Sequence, residues 1–519
     1  HEHVDIALVR TPSPPFPIFH PILLHSLLLS NMGSKFNSEQ TMEIEGGALD
    51  GSSKSEERTY LCIDLKSFYA SVECADRGLD PFTTNLVVAD PTRSANTICL
   101  AITPALKARG VRNRCRLGDI PDGIEFTCAM PRMSRYMEVS ANIVGAYQRY
   151  VSPDDMHVYS IDEAFIDTTP YLKLYDMDAK SFARMLMDAA FECAGVTATA
   201  GIGTNLYLAK VAMDIGAKRI APDANGVRIA ELNELSYRKN LWDHRPLTDF
   251  WRVGKGIAQK LETHNMFTMG DVARCSLGGP QDFYNEEMLY RLFGVNAELL
   301  IDHAWGWEPC TIAAIKDYRP KSSSLSSGQV LPEPYPHEKA RLIVREMADQ
   351  LSLELVEKGL VCSQFMLDIG YDAENLSAPA QQRSYHGLTK TDRYGRAVPA
   401  AAHGSANLPV PASSARILMQ TAAEVFDRIV DFGLSVRRVT VTAAGLLRQE
   451  EAQLVGGDQL DFFGNYAAHQ QQKAELEREL SGQQAIVALR QKYGKNAVLR
   501  GMDLQEGATT KGRNGQIGG

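Results

Sequence analysis

Apolar residues fall into short unbroken runs separated by stretches of helical spacing. Tyr60-Leu61-Cys62-Ile63-Asp64-Leu65 is apolar at every position but one, as expected of a strand buried on both faces. Tyr159-Ser160-Ile161-Asp162-Glu163-Ala164-Phe165-Ile166-Asp167 predicts a second strand, broken by two adjacent carboxylates. Further strands are expected over residues 86–89 and 197–203. Helices are expected over 68–77, 104–109 (stopped by Gly110), 135–150, 181–193 and 209–215. Strands alternating with helices around paired carboxylates predict an α+β domain.

Downstream the pattern changes. Trp251-Arg252-Val253-Gly254-Lys255-Gly256-Ile257-Ala258-Gln259-Lys260-Leu261 has the form of a helix-hairpin-helix, in which Gly254, Lys255 and Gly256 present backbone N–H groups at a helix start. Such groups bind nucleic-acid phosphate without reading sequence. A Ser-rich linker at 321–327 introduces another domain. Its outline is strand, helix (337–358), strand (362–371), a long polar loop (372–408), helix (413–432) and strand (436–444). That loop is long for a compact connection. A polar, Gln/Glu-rich helix is expected over 467–493, and it suggests no chemistry.

At 519 residues the chain is long enough for several domains, with ordinary apolar (44%) and charged (23%) fractions. The net charge of −9 weighs lightly against a nucleic-acid partner, but residues 311–450 carry 16 Lys/Arg against 15 Asp/Glu, so the acid is concentrated elsewhere. Nine cysteines without a CxxC or Cys/His cluster suggest neither zinc nor a disulfide framework, but reduced thiols in a cytoplasmic protein. The apolar run 22–29 is too short to span a membrane and lacks the flanks of a secretory signal. Translation is expected to begin at Met32 or Met42, with residues 1–58 a disordered or mis-assigned extension.

Carboxylates in buried strands are costly unless paired or bound to a cation. Asp64, Asp162 and Glu163 could together hold two Mg²⁺ ions about 3.5–4 Å apart, the arrangement used for in-line phosphoryl displacement. Ser160 to Phe165, preceded far upstream by Asp64-x-x-x-Phe68-Tyr69-Ala70-Ser71-Val72-Glu73, resembles the Y-family translesion DNA polymerases, specifically bacterial UmuC/UvrX-like members. The resemblance spans residues 59–463. It implies an α+β multidomain right-hand polymerase: palm (59–68 and 135–240), fingers (69–134), helix-hairpin-helix thumb (241–315), little finger (316–447) and a C-terminal tail (448–519).

By this resemblance Asp64 and Asp162 bridge both metals, Glu163 ligates the one that activates the primer 3′-hydroxyl, and the Leu65 carbonyl completes the nucleotide-side metal. Tyr69, beside Phe68, stands at the steric gate that excludes a 2′-hydroxyl. Lys107 and Lys218 are the implied triphosphate cations, although Pro104 replaces the family's usual aromatic and the spacing to Lys218 is one residue long. Asp167 reads as a strand-end cap. Gln459-Leu460-Asp461-Phe462-Phe463 resembles the peptide by which bacterial polymerases bind the sliding clamp. Implied partners are primer-template DNA, deoxynucleoside triphosphates, the clamp and accessory subunits, with no membrane.

Two other classes compete with this reading: a non-catalytic DNA- or clamp-binding protein on the same fold, and another palm-type enzyme such as a nucleotidyl cyclase. The carboxylates disfavour the first, and the hairpin, little finger and clamp peptide disfavour the second. Deleting residues 459–463 is expected to abolish clamp-stimulated primer extension and to spare basal extension. Stimulation that survives the deletion would leave the motif without that role.

Overall fold

Tyr60, Leu61, Cys62, Ile63 and Leu65 are all buried and form the strand β1 (Tyr60–Leu65), the middle of a five-stranded sheet. The computed structural model describes residues 58–92, 97–223, 227–319, 324–377, 385–392, 395–455 and 466–515. They divide into two compact units between Tyr318 and Arg319.

In the first unit, β1 is followed by α1 (Phe68–Ala75), β2 (Leu86–Val88), β3 (Ala101–Ile102), α2 (Pro104–Ala108), β4 (Thr127–Ala129) and α3 (Met133–Tyr147). Next come β5 (Met156–Val158), β6 (Glu163–Asp167), α4 (Ala179–Ala194), β7 (Ala198–Gly203), α5 (Leu206–Val211) and β8 (Arg228–Leu232). The main sheet runs β5-β6-β1-β7-β8, with β1 antiparallel to both neighbours and β7 parallel to β8.

The two-residue period of β1 divides its side chains between two cores. Leu61 and Ile63 pack with Tyr136 and Ile143 of α3 and with Phe182 and Leu186 of α4. Tyr60 and Cys62 pack on the other face with Phe165, Leu206, Ala209 and Met213. On that face α5 lies so close to β7 that a Cβ at Gly201 or Gly203 would fall 2.2 Å from its backbone. A smaller sheet, β3-β2-β4, closes over its own core of Val87, Cys99, Ile102 and Leu106. Beyond β8 the unit is helical, and α6 (Lys255–Glu262) begins within the segment expected to form a helix-hairpin-helix.

The expected strand over 159–167 is shorter. Only Glu163–Asp167 is strand, and it forms a hairpin with β5 through a turn at 159–162. The Ser160 hydroxyl donates to Asp162 Oδ1 (2.7 Å), a local bond that competes with the ladder. The expected helix over 209–215 starts earlier, at Leu206, and passes into a π-helical segment, Ala212–Gly216.

The second unit holds β9 (Ser324–Tyr335), α7 (His337–Glu357), β10 (Leu360–Tyr371), β11 (Thr389–Thr391), β12 (Ala397–Pro399) and β13 (Ala402–Ala412). It continues through α8 (Ala415–Ile429), β14 (Val436–Arg448) and α9 (Tyr466–Tyr493). The sheet order is β13-β10-β14-β9, antiparallel throughout, with α7 and α8 packed on it. The long polar loop expected over 372–408 contains the β11–β12 hairpin and most of β13. As an edge strand β13 keeps only Leu408 and Ala412 buried and carries Pro409 and Pro411, so its sequence lacks the apolar alternation of a central strand.

The polar helix α9 and the chain after it pack against α7. Gln483, 3% exposed, donates to Ser352 Oγ and to the Ser413 carbonyl. Arg500 Nε donates to Asp349 Oδ1 (2.6 Å), and Glu346 Oε2 accepts the Thr509 amide (2.9 Å). Glu346 and Asp349 are fully buried on α7, and the C-terminal segment supplies their donors.

Candidate active site

The β5–β6 turn carries Asp162 at its end and Glu163 at the start of β6, where Glu163 is the direct partner of Asp64 on β1. The Leu65 amide donates to the Asp162 carbonyl (2.9 Å), tying the turn to the end of β1. Three carboxylates are thus carried on neighbouring backbone where the two strands end. Loss of water, then the charges of Glu163 and Asp162, push Asp64 well above the usual carboxylate range. Burial also raises Asp162, opposed by the Ser160 hydrogen bond, and raises Glu163, opposed by Lys210.

Lys210, 5% exposed on α5, donates to Glu163 Oε1 (2.6 Å) and pairs with Asp214 (3.1 Å). Burial alone would lower its ammonium, but Cys62, Asp214 and Glu163 more than reverse this. Lys107 on α2 lies within electrostatic reach of Asp64 and donates to Ser67 Oγ (2.8 Å). Arg114, held at φ 60°, lies within electrostatic reach of Asp162. Lys218 is exposed in a turn after the π-helical segment and makes no hydrogen bond or ion pair among the described residues. Lys210 and Arg114 are additions to the expected set. Lys210 had a readable signal, a lone cation inside the apolar stretch 206–213 with an acid four residues on, whereas the backbone turn that aims Arg114 has none.

Phe68 lies in the core at 3% exposure, and Tyr69 is partly exposed, stacked on Tyr136 at 4.5 Å and 14°. Asp167 accepts Arg58 Nη1 (2.9 Å) and the Thr169 amide (3.1 Å), as a strand-end cap does. Gly254 is the N-cap of α6, and a Cβ at Gly254 or Gly256 would meet nothing within 4 Å. Trp251, just before it, donates to Tyr159 Oη (3.2 Å) and packs on Phe165, linking the segment that enters α6 to the acidic turn. The pentapeptide 459–463 lies outside the described residues. Among those described, no helix is long and apolar enough to cross a membrane.

This arrangement has the fold of a Y-family polymerase. A solved Y-family DNA polymerase chimera of Dbh and Dpo4 aligns at a TM-score of 0.53, covering 75% of this chain and 99% of the other at 14% identity. Residues 63–214 match the impB/mucB/samB family, and residues 322–457 match its C-terminal domain. The Bacillus subtilis protein described as "Putative UV-damage repair protein UvrX" is 26% identical over 464 residues, covering 89% of this chain and 97% of that protein. "DNA polymerase IV 2" of the same species is 27% identical over 476 residues, covering 89% and 98%. The "DNA repair protein homolog YozK", also from Bacillus subtilis, is 39% identical over 103 residues, covering 20% of this chain and 90% of that protein. The chain belongs to the impB/mucB/samB family, as a UmuC/UvrX-like member of the Y-family polymerases.

The donors are of the type a hard divalent cation takes: three carboxylates, each raised first by burial, beside a backbone carbonyl. Among the described residues no three such side chains converge closely enough to enclose one, and Lys210 holds an oxygen of Glu163. Lys210 therefore supplies counter-charge to the acidic cluster. Lys210→Met should destabilise the protein in EDTA by about 3 kcal/mol, the cost of breaking a buried ion pair, and Mg²⁺ should raise its melting temperature more than that of wild type. Equal Mg²⁺ shifts in a thermal melt would separate Lys210 from the metal site.

Proposed function

We propose that this protein is a template-directed DNA polymerase that extends a primer with deoxynucleotides and copies past damaged template bases with low fidelity. The observation that carries the reading is the pairing of Asp64 with Glu163 across β1 and β6, with Asp162 in the adjoining turn. Three partly buried carboxylates side by side are unfavourable in a purely structural role. The names of the relatives, DNA polymerase IV and a UV-damage repair protein, support the same assignment.

In this reading Asp64, Asp162, Glu163 and the Leu65 carbonyl hold two Mg²⁺ ions. Bound there, the metals supply Lewis-acid stabilisation of the attacking and leaving oxygens. Lys107 and Arg114, on the fingers side of the carboxylates, bind triphosphate oxygens, and Lys218 is a further cation for the same group. Tyr69 closes the sugar side, so that a 2′-hydroxyl meets the ring. Gly254, Lys255 and Gly256 offer N-terminal amides of α6 to a DNA phosphate, with open space above both glycines. Residues 459–463 recruit the sliding clamp, and accessory subunits are further partners.

The test is Mg²⁺-dependent primer extension on undamaged and abasic templates, comparing wild type with Asp162→Ala/Glu163→Ala. Extension by wild type alone supports the assignment, and bypass of the abasic site supports translesion synthesis. Extension by neither, with clamp supplied, would favour the non-catalytic alternative. Equal extension by both would remove the carboxylates from the active site.

A further inference from the structure

Tyr69 and Glu73 are four residues apart on α1 and so lie on one face of the helix. Tyr69 stacks on the ring of Tyr136, which is fully buried near the start of α3. The Tyr136 hydroxyl donates to Glu73 Oε1 at 2.7 Å. The same carboxylate, also fully buried, accepts Arg132 Nε and Nη2, each at 2.9 Å, and is paired with Arg77. Asp76, one turn further on, accepts Arg132 Nη2 (2.7 Å) and Arg135 Nη2 (2.9 Å).

Joining two helices does not require a buried charge, because apolar residues of similar volume do that as well or better. What the network adds is geometry. Four donors fix the Glu73 carboxylate, which fixes the Tyr136 hydroxyl and so the ring on which Tyr69 rests. A stacked ring with a free edge could slide over its neighbour, whereas one anchored through its hydroxyl cannot.

We infer that Glu73 and Tyr136 are positioning residues for sugar selection, acting as a rigid backstop that keeps the Tyr69 ring from yielding to a 2′-hydroxyl. The inference rests on the gate reading of Tyr69 and extends it, because exclusion then depends on resistance to displacement as well as on bulk. A ring that gives way by a fraction of an ångström would admit a ribonucleotide without any change at Tyr69 itself.

The experiment is a competition between ribo- and deoxynucleoside triphosphates in single-nucleotide insertion, with Tyr69→Ala, Tyr136→Phe and Glu73→Gln beside wild type. Tyr136→Phe keeps the stacked ring and removes only its anchor. It should lower discrimination by about fivefold, the factor carried by one hydrogen bond, while deoxynucleotide insertion stays close to wild type. Glu73→Gln should act in the same direction, and should it fail to fold, Tyr136→Phe decides alone. Leu186→Ala, a core truncation on α4, controls for lost stability and should leave discrimination unchanged. If Tyr69→Ala admits ribonucleotides but Tyr136→Phe discriminates like wild type, the backstop is overturned and the gate stands. If Tyr69→Ala leaves discrimination unchanged, the gate reading falls and the backstop with it.

Discussion

The first unit is organised by the cost of placing three carboxylates at the end of a buried antiparallel pair. β1 and β6 are apolar along their shared length and acidic only where they end, so burial and negative charge meet at Asp64, Asp162 and Glu163. The surrounding features answer that charge. The Ser160 hydroxyl holds Asp162, Lys210 reaches Glu163 from the helix packed on the same face of the sheet, and Lys107 and Arg114 lie within electrostatic reach of Asp64 and Asp162. Even Gly201 and Gly203 belong to this arrangement, because only glycine lets α5 come close enough to β7 to carry Lys210 there.

The second unit meets the same problem without an active site. Glu346 and Asp349 are buried on α7, and their donors come from a segment more than a hundred residues later in the chain. Here the counter-charge is protein: Arg500, and the amides of Thr509 and Thr510. The contrast is informative. Where carboxylates serve structure, the chain provides arginine and amide partners. At β1 and β6 a lysine bonds Glu163 and further cations act on Asp64 and Asp162 through space, while burial raises the carboxyls in both units.

The legible features were those in which one residue type has one physical use. The apolar run of β1 with its one acidic interruption, the helix stop at Gly110 and the glycine N-cap of α6 are all of that kind. The edge strand β13 was hidden because an edge needs little apolar alternation, and the turn at 159–162 because a serine–aspartate bond replaced the ladder. α9 packs through Gln483 and Glu479, so periodicity showed only a polar helix. At the site, Asp64, Asp162, Glu163 and Tyr69 came from motif resemblance. Lys210, Arg114 and the Glu73 network emerge only when distant segments are brought together.

The central claim is that the carboxylate cluster is a cation site completed by substrate. Its most direct test is calorimetric titration of Mg²⁺ into wild type and Asp64→Asn, with and without a deoxynucleoside triphosphate and a primer-template lacking its 3′-hydroxyl. The account predicts that substrate tightens Mg²⁺ binding in wild type, and that Asp64→Asn loses more than about tenfold in affinity. Equal Mg²⁺ affinity in the two proteins, unaffected by triphosphate, would contradict it.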